Sequence, residues 1–354
     1  RVTVHQFTRE FPVDILFQDQ CGARGWHYDT NPAAPRPYAY SEGMIAMNDE
    51  DSRIVPLGTE NGWDRVANYQ TLLSGLSWGL VPTEHGPTWV RLFKTAYPAD
   101  TWEIFPLALA LMHDKAIFLH HDLGQFVTND QVLSWTLGLG YSLSFRATAE
   151  MLTHDEHAQW LAWLARLQQS VCARYLGEPL RAFAHDRAAL LAAGGDPRRA
   201  SDDGTLDASY GDVRLRCNLG DTPRTVAGTP LPAYGFRADA PGLTAGLAPD
   251  GTGYVTQNNG GRSEVWLFGH PGAAVAVPVP FNDTTVFTLD GAPETRLSAA
   301  SGTLRLTLPP RGSITRVLPP PERAALAPRD WPGTKPVIAV IDLGPGIAPA
   351  LTAV

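Results

Sequence analysis

Two short apolar runs, Val13 to Phe17 and Ile54 to Leu57, each reach a carboxylate within three residues. The first ends at Asp19 in Leu16-Phe17-Gln18-Asp19-Gln20-Cys21-Gly22, the second at Glu60 in Leu57-Gly58-Thr59-Glu60-Asn61-Gly62-Trp63. A short apolar run closed by an acid and then loop residues reads as a buried parallel strand that ends at a polar site. In barrels of alternating strands and helices, side chains at those strand ends line the active site.

Two acids so placed, with Trp26 and Trp63 close behind them in the chain, are what glycoside hydrolysis requires. One carboxyl protonates the leaving oxygen, while the other attacks the anomeric carbon or activates water. The competing reading makes each acid an N-cap or a structural carboxylate paired with an arginine such as Arg24 or Arg65. Asp64 follows Glu60 by four residues and is either a substrate ligand or a solvated loop acid.

The chain divides by pattern. Residues 1–185 alternate apolar strand-like runs with helical stretches, as α/β units do. Tyr69 to Trp78 reads as a short helix. Pro106 to Asp114 is a third strand-like run, although its lack of β-branched residues also suits a buried helix. Thr153-His154-Asp155-Glu156 has capping-box spacing, and Trp160, Leu161, Leu164, Leu167, Val171 and Tyr175 continue it as an apolar helix face. Residues 186–205 read as a connection.

From 206 to 320 the period changes to short alternating runs separated by Gly, Pro, Asn and Asp. Val213 to Asn218, Glu264 to Phe268 and Thr303 to Leu308 are examples. That pattern predicts antiparallel β-sandwich domains. Residues 321–354 read as a linker and the start of a further module, because Val337 to Leu343 has a buried-strand pattern followed by Gly-Pro-Gly. Arg1 stands close before a strand that looks like the middle of a barrel, so both ends read as cut.

Composition excludes several classes. A net charge of -8 offers no basic stripe for phosphates, so no nucleic-acid partner is expected. No apolar run approaches the roughly 20 residues needed to span a bilayer. The three cysteines, Cys21, Cys172 and Cys217, are widely spaced and give neither a disulfide framework nor a C-x-x-C metal site. No G-x-G-x-x-G, P-loop or G-x-S-x-G occurs in a supporting context, so no cofactor and no serine nucleophile is expected. The pairs His113-Asp114 and His121-Asp122 raise a metallohydrolase reading. The better supported reading places His113, Asp114 and Asp122 at the border of the same pocket as the acids.

The stretches Asp14-Ile15-Leu16-Phe17-Gln18-Asp19-Gln20-Cys21-Gly22-Ala23, Gly58-Thr59-Glu60 and Leu111-Met112-His113-Asp114 together resemble an uncharacterised bacterial family. Its members are TIM-barrel, glycoside-hydrolase-like proteins with C-terminal β-sandwich domains, distantly similar to the endo-α-N-acetylgalactosaminidases. The later Tyr210-Gly211-Asp212-Val213, Cys217-Asn218-Leu219-Gly220 and Tyr234-Gly235-Phe236 are similar to the β domain attached to such barrels. The resemblance covers roughly residues 10 to 320, and Met112 stands where the family carries an aromatic residue.

The resemblance implies the C-terminal part of a (β/α)8 barrel followed by β-sandwich domains. It also implies Asp19 as nucleophile and Glu60 as acid/base, in a retaining mechanism on an oligosaccharide, polysaccharide or glycoconjugate. Trp26, Trp63, Asp64, His113, Asp114 and Asp122 are the expected substrate contacts. The early barrel strands are missing, so a preceding segment or another chain is expected to complete the barrel. The rival reading is a carbohydrate-binding or surface-assembly protein built on a degenerate barrel.

Overall fold

The computed structural model describes residues 2–22, 24, 27–75, 106–120, 127–145, 155–186, 204–259, 262–269, 274–278, 284–287, 295–300, 303–307, 312–313, 315–316, 330–331 and 337–342. Its amino-terminal layer is a four-stranded parallel sheet of β1 (Leu16–Gln18), β2 (Leu57–Glu60), β3 (Gln70–Ser74) and β4 (Ile117–Leu119), ordered β1-β2-β3-β4. Leu57, Leu73 and Phe118 are buried in its middle. Helix α1 (Val2–Glu10) precedes β1, and α2 (Ala39–Ser52) joins β1 to β2.

The strands follow one another in sequential parallel order, with α2 between β1 and β2 but only a 3-10 turn, Ala67–Tyr69, between β2 and β3; among the described residues the sheet is open and no barrel closes. One edge is β1. At the other edge the chain near Ser142 covers β4, where Ser142 N donates to Phe118 O at 2.9 Å.

Two local expectations change. Pro106 to Asp114 forms helix α3 (Leu107–Met112) rather than a strand. Leu, Ala and Met are strong helix formers, and no β-branched side chain opposes them. Tyr69 to Trp78 was expected to be helical, yet Gln70–Ser74 is strand β3, paired on both sides with β2 and β4. Two parallel ladders outweigh the weak local preference of a five-residue segment. The remainder of that stretch lies outside the described residues.

The carboxyl-terminal layer is a nine-stranded sheet, ordered β19-β21-β13-β12-β11-β10-β7-β6-β5. Its main strands are β5 (Leu180–Asp186), β6 (Thr205–Tyr210), β7 (Val213–Asn218), β10 (Phe236–Ala240), β11 (Leu243–Leu247), β12 (Gly253–Asn259) and β13 (Arg262–Gly269). The strand Val337–Asp342 (β21), expected to open a further module, pairs antiparallel with β13 of this same sheet. The short strand Thr315–Arg316 (β19) pairs parallel to β21 at the edge. The sheet also starts earlier than the pattern suggested, because Leu180–Asp186 pairs with β6. A separate four-stranded antiparallel sheet contains β14 (Ala274–Pro278), β15 (Thr284–Phe287), β16 (Thr295–Ala300) and β17 (Thr303–Thr307).

Helices cover one face of the large sheet. Helix α4 (Asp130–Gly138) is buried at every residue from Val132 to Gly138, and a helix apolar on all sides must lie inside the protein. Asn129 caps it by accepting from Val132 N at 3.0 Å. Helix α5 (Asp155–Leu167) runs on through a π-helical turn, Gln168–Cys172, to Ala173–Tyr175. That turn aims Gln168 at the chain beside β4, where its Oε1 accepts from Leu143 N at 2.9 Å. One continuous core therefore runs from Leu73 and Phe118 through Leu133, Trp135, Trp163 and Leu167 to Leu215, Phe236 and Val255. At roughly 25 cal/mol per Å² of apolar surface, this burial is the main term holding the two layers to one another.

Candidate functional site

The two expected acids lie at the carboxyl ends of neighbouring parallel strands. Register pairs Gln18 with Thr59, so Asp19 and Glu60 are the next residues on two neighbouring strands. Glu60 is in turn paired with Ser74 of β3, and Ser74 with Leu119 of β4. Adjacent strands lie about 4.8 Å apart, which brings the two acid-bearing positions to one edge of the sheet. Glu60 is half-buried and Asp19 exposed.

Both strands leave the sheet in the same way. Gln20 (φ +58°) and Asn61 (φ +55°), the residues directly after the two acids, are left-handed. Non-glycine residues take this conformation rarely, and such strain concentrates at functional sites. The turn after Asp19 is fastened to β2 by Thr59, which is fully buried. Its Oγ1 accepts from Gly22 N at 2.6 Å and donates to Gln18 O at 3.0 Å. Only glycine fits at 22, because a methyl group there would run into Thr59 Cγ2.

Below this edge the packing is polar. Gln18 Nε2 donates to Asp51 Oδ2 at 2.8 Å, and Asp51 is buried on α2 with Ser41 and Asn48. Gln70 Nε2 donates to Asn48 Oδ1. Cys21 stands in the same neighbourhood: burial first, then the charges of Asp51 and Asp19, push its thiol up from the ordinary range. The thiolate, the nucleophilic form, is disfavoured there.

The fourth strand end holds His120. Ser74 Oγ donates to His120 O at 3.1 Å, and the imidazole is buried against Tyr141, ring centroids 5.1 Å apart. Thr136 has one hydroxyl proton and gives it to Val132 O at 2.5 Å. Its oxygen, 2.6 Å from His120 Nε2, can therefore only accept, which assigns the Nε2–H tautomer to the ring. Burial lowers the pKa of His120 to about 3, so the ring is neutral.

The other expected contacts separate from the acids. Trp63 and Asp64 line an open cavity of about 820 Å³, together with Pro56, Tyr69, Gln70, Met112 and Lys115. Most of those residues precede strands β2, β3 and β4, so the cavity lies toward the amino edge of the sheet, and Gly62 and Trp63, two and three residues after Glu60, also line it. Asp64 lies 3.9 Å from Arg65, and Arg24 donates to Gln20.

His113 ends α3 rather than a strand, with Nδ1 2.5 Å from Glu178 O and Nε2 2.8 Å from Gly140 O. Its ring packs against Tyr210, with centroids 4.2 Å apart and planes tilted by 33°. It fastens three connections to one another. Asp114 pairs with Lys115 at 2.5 Å on the surface, and that bond holds its carboxyl below the usual range. Trp26 and Asp122 lie outside the described residues. Among the described residues no group of three His, Cys, Asp or Glu side chains could hold a metal ion, and no helix is long and apolar enough to cross a membrane.

Sequence reasoning missed Thr59, Asp51, Ser74 and the role of His120. Of these only Thr59, one residue before Glu60, carried a signal: a polar residue inside a buried run needs a partner.

No family model matches the chain, and no curated protein matches it. Among solved structures it is similar to a noncanonic maltogenic α-amylase, AmyB, from Thermotoga neapolitana, with a TM-score of 0.33 and 9% identity. The match covers 95% of this chain and 62% of that one. The relationship to endo-α-N-acetylgalactosaminidases has no counterpart in these comparisons.

Proposed function

We propose that the protein is a glycoside hydrolase in which Asp19 is the nucleophile and Glu60 the general acid/base, acting on a saccharide or glycoconjugate. The observation that carries this reading is the placement of the two carboxylates as successive residues beyond one register pair, Gln18 with Thr59, on adjacent parallel strands. A retaining enzyme needs its carboxyls about 5–5.5 Å apart, near the spacing of neighbouring strands, whereas an inverting one needs about 6.5–9.5 Å. Of the two, Glu60 is half-buried and Asp19 exposed.

In this mechanism Asp19 attacks the anomeric carbon as Glu60 protonates the departing oxygen, which leaves a glycosyl ester on Asp19. Glu60, now ionised, takes a proton from water, and that water cleaves the ester. The reaction requires no metal and no organic cofactor.

Aryl glycosides of several sugars, assayed with the full chain, test the reading. Asp19→Asn should reduce turnover by roughly 10²–10⁴-fold or more. Glu60→Gln should lose little on a dinitrophenyl leaving group, which departs without protonation, and much on a poor one. Turnover by both variants equal to that of the parent would exclude the pair. Saccharide binding without hydrolysis by any of them would favour the binding-protein reading.

A further inference from the structure

The connection that leaves β1 beyond Asp19 and leads to α2 presents an aromatic face to solvent. Tyr28 is 69% exposed and Tyr40 42% exposed. Exposed tyrosines on a mobile loop would mean little, but residues 27–42 are tied down. His27 N donates to Ser41 Oγ at 2.9 Å, and Ser41 Oγ reaches back to His27 O at 3.3 Å from a fully buried position. Asp29 N donates to Pro37 O at 2.7 Å, Asn31 N to Asp29 Oδ1 at 3.0 Å and Ala33 N to Asn31 Oδ1 at 3.0 Å. Arg36 pairs with Glu42 across the entry to the helix.

The rings themselves are held. Tyr28 and Tyr38 lie 4.8 Å apart with planes tilted by 40°. His27 meets Tyr40 edge-on at 6.1 Å. Tyr28 therefore has one face supported and the remainder open to water. A large apolar surface fixed in an exposed position pays no ordering entropy on binding, which is how preorganised recognition surfaces work.

We propose that Tyr28, backed by Tyr38, is a stacking platform for a pyranose ring of the saccharide whose glycosidic bond lies at Asp19 and Glu60. This rests on the glycosidase reading above. The platform belongs to the strand-to-helix connection that leaves the carboxyl end of β1, the side of an open parallel α/β sheet on which ligands bind. The C–H face of a pyranose is apolar and covers a phenol ring, while its equatorial hydroxyls stay in water. Tyr28 is a substrate-positioning residue, and it takes no part in bond cleavage.

Isothermal titration calorimetry of the full chain in the Asp19→Asn background, which should hold saccharides without turnover, provides the test. The probes are malto-, cello-, xylo-, chito- and galacto-oligosaccharides. At least one should bind. Tyr28→Ala should weaken that binding about tenfold, as for a hot-spot aromatic. Tyr28→Phe, which keeps the ring, should stay within about threefold. Because Tyr28 is exposed, the thermal midpoint of Tyr28→Ala should match that of the parent, which separates lost stacking from lost fold.

Equal affinity of Tyr28→Ala and its parent, or binding of none of the probes, overturns the platform. Its fate is separable from that of the catalytic pair. If Asp19→Asn abolishes hydrolysis while Tyr28→Ala binds normally, the platform alone falls. If Tyr28→Ala loses binding while Asp19→Asn and Glu60→Gln still hydrolyse as the parent does, the catalytic assignment alone falls.

Discussion

His120 should make the protein sensitive to acid. In the folded chain its ring is buried, neutral and engaged with Thr136, and burial lowers its pKa to about 3. In the unfolded chain a histidine titrates near pH 6.5. The folded state therefore binds fewer protons at intermediate pH, so the contribution is complete above about pH 6.5 and is lost as pH falls toward 3. At pH 5 the loss is about 2 kcal/mol, and the whole penalty, roughly 5 kcal/mol, is reached only below pH 3. Against a typical total stability of about 5–15 kcal/mol, a loss of that size decides whether the chain stays folded.

His120→Gln isolates the effect, because the amide keeps an N–H for Thr136 Oγ1 but cannot titrate. Its lost packing against Tyr141 is a constant offset that cancels when each protein is compared with itself at two pH values. Urea unfolding at pH 7 and pH 5 should show the parent losing about 2 kcal/mol more than the variant over that interval. The imidazole proton resonance of His120 should also hold its position down to about pH 4.5, as its lowered pKa requires. Parallel loss of stability in both proteins, or a resonance that titrates near pH 6.5, would refute the argument that this ring is buried and neutral.

Two glycine substitutions probe how the layers are fastened. Gly22→Ala places a methyl group against Thr59 and breaks the tie between the turn after Asp19 and β2. It should lower turnover more than stability, with a cost of about 1–3 kcal/mol by calorimetry, and unchanged turnover would contradict the assigned geometry. Gly140 has φ +69°, and an added Cβ would lie 2.5 Å from His113 Nε2 and 2.7 Å from Tyr210 Cζ. Gly140→Ala should cost about 2–4 kcal/mol, from backbone strain and overpacking together, read as a lower urea midpoint. A variant as stable as the parent would mean that His113 does not pin that connection.

What the sequence reveals depends on the distance over which each feature is encoded. Strand β6 alternates Leu206, Ala208 and Tyr210 inward, and that period is visible in the residues themselves. The apolar face from Trp160 to Tyr175 is equally local. Strand β3 is not, because Gln70-Thr71-Leu72-Leu73-Ser74 becomes a strand only through partners on both sides. The acids could be found because each closes an apolar run. Their adjacency could not, because register belongs to the pair of strands and not to either one. His113 misleads for a similar reason: after a run of Leu, Ala and Met it looks like a strand-end ligand, but the run coils into α3 and turns the imidazole inward to two carbonyls.

The two edges of the parallel sheet divide what an active site normally combines. The amino edge has the open cavity, with Trp63 and Tyr69, but among the described residues that line it Asp64, beside Arg65, is the single carboxylate. One acid held near a cation cannot serve both as proton donor and as nucleophile, since glycosidic cleavage needs two carboxyls in opposite protonation states. The carboxyl edge has the two acids in different surroundings, one half-buried and one exposed, and strained turns that fix their backbone positions. Volume can be supplied by loops around a site, whereas a pair of acids on adjacent strands can arise only from the strands. The proposed glycosidase reading therefore rests on the edge with Asp19 and Glu60, and on that reading the held tyrosines on the connection leaving β1 supply the saccharide surface that this edge would otherwise lack.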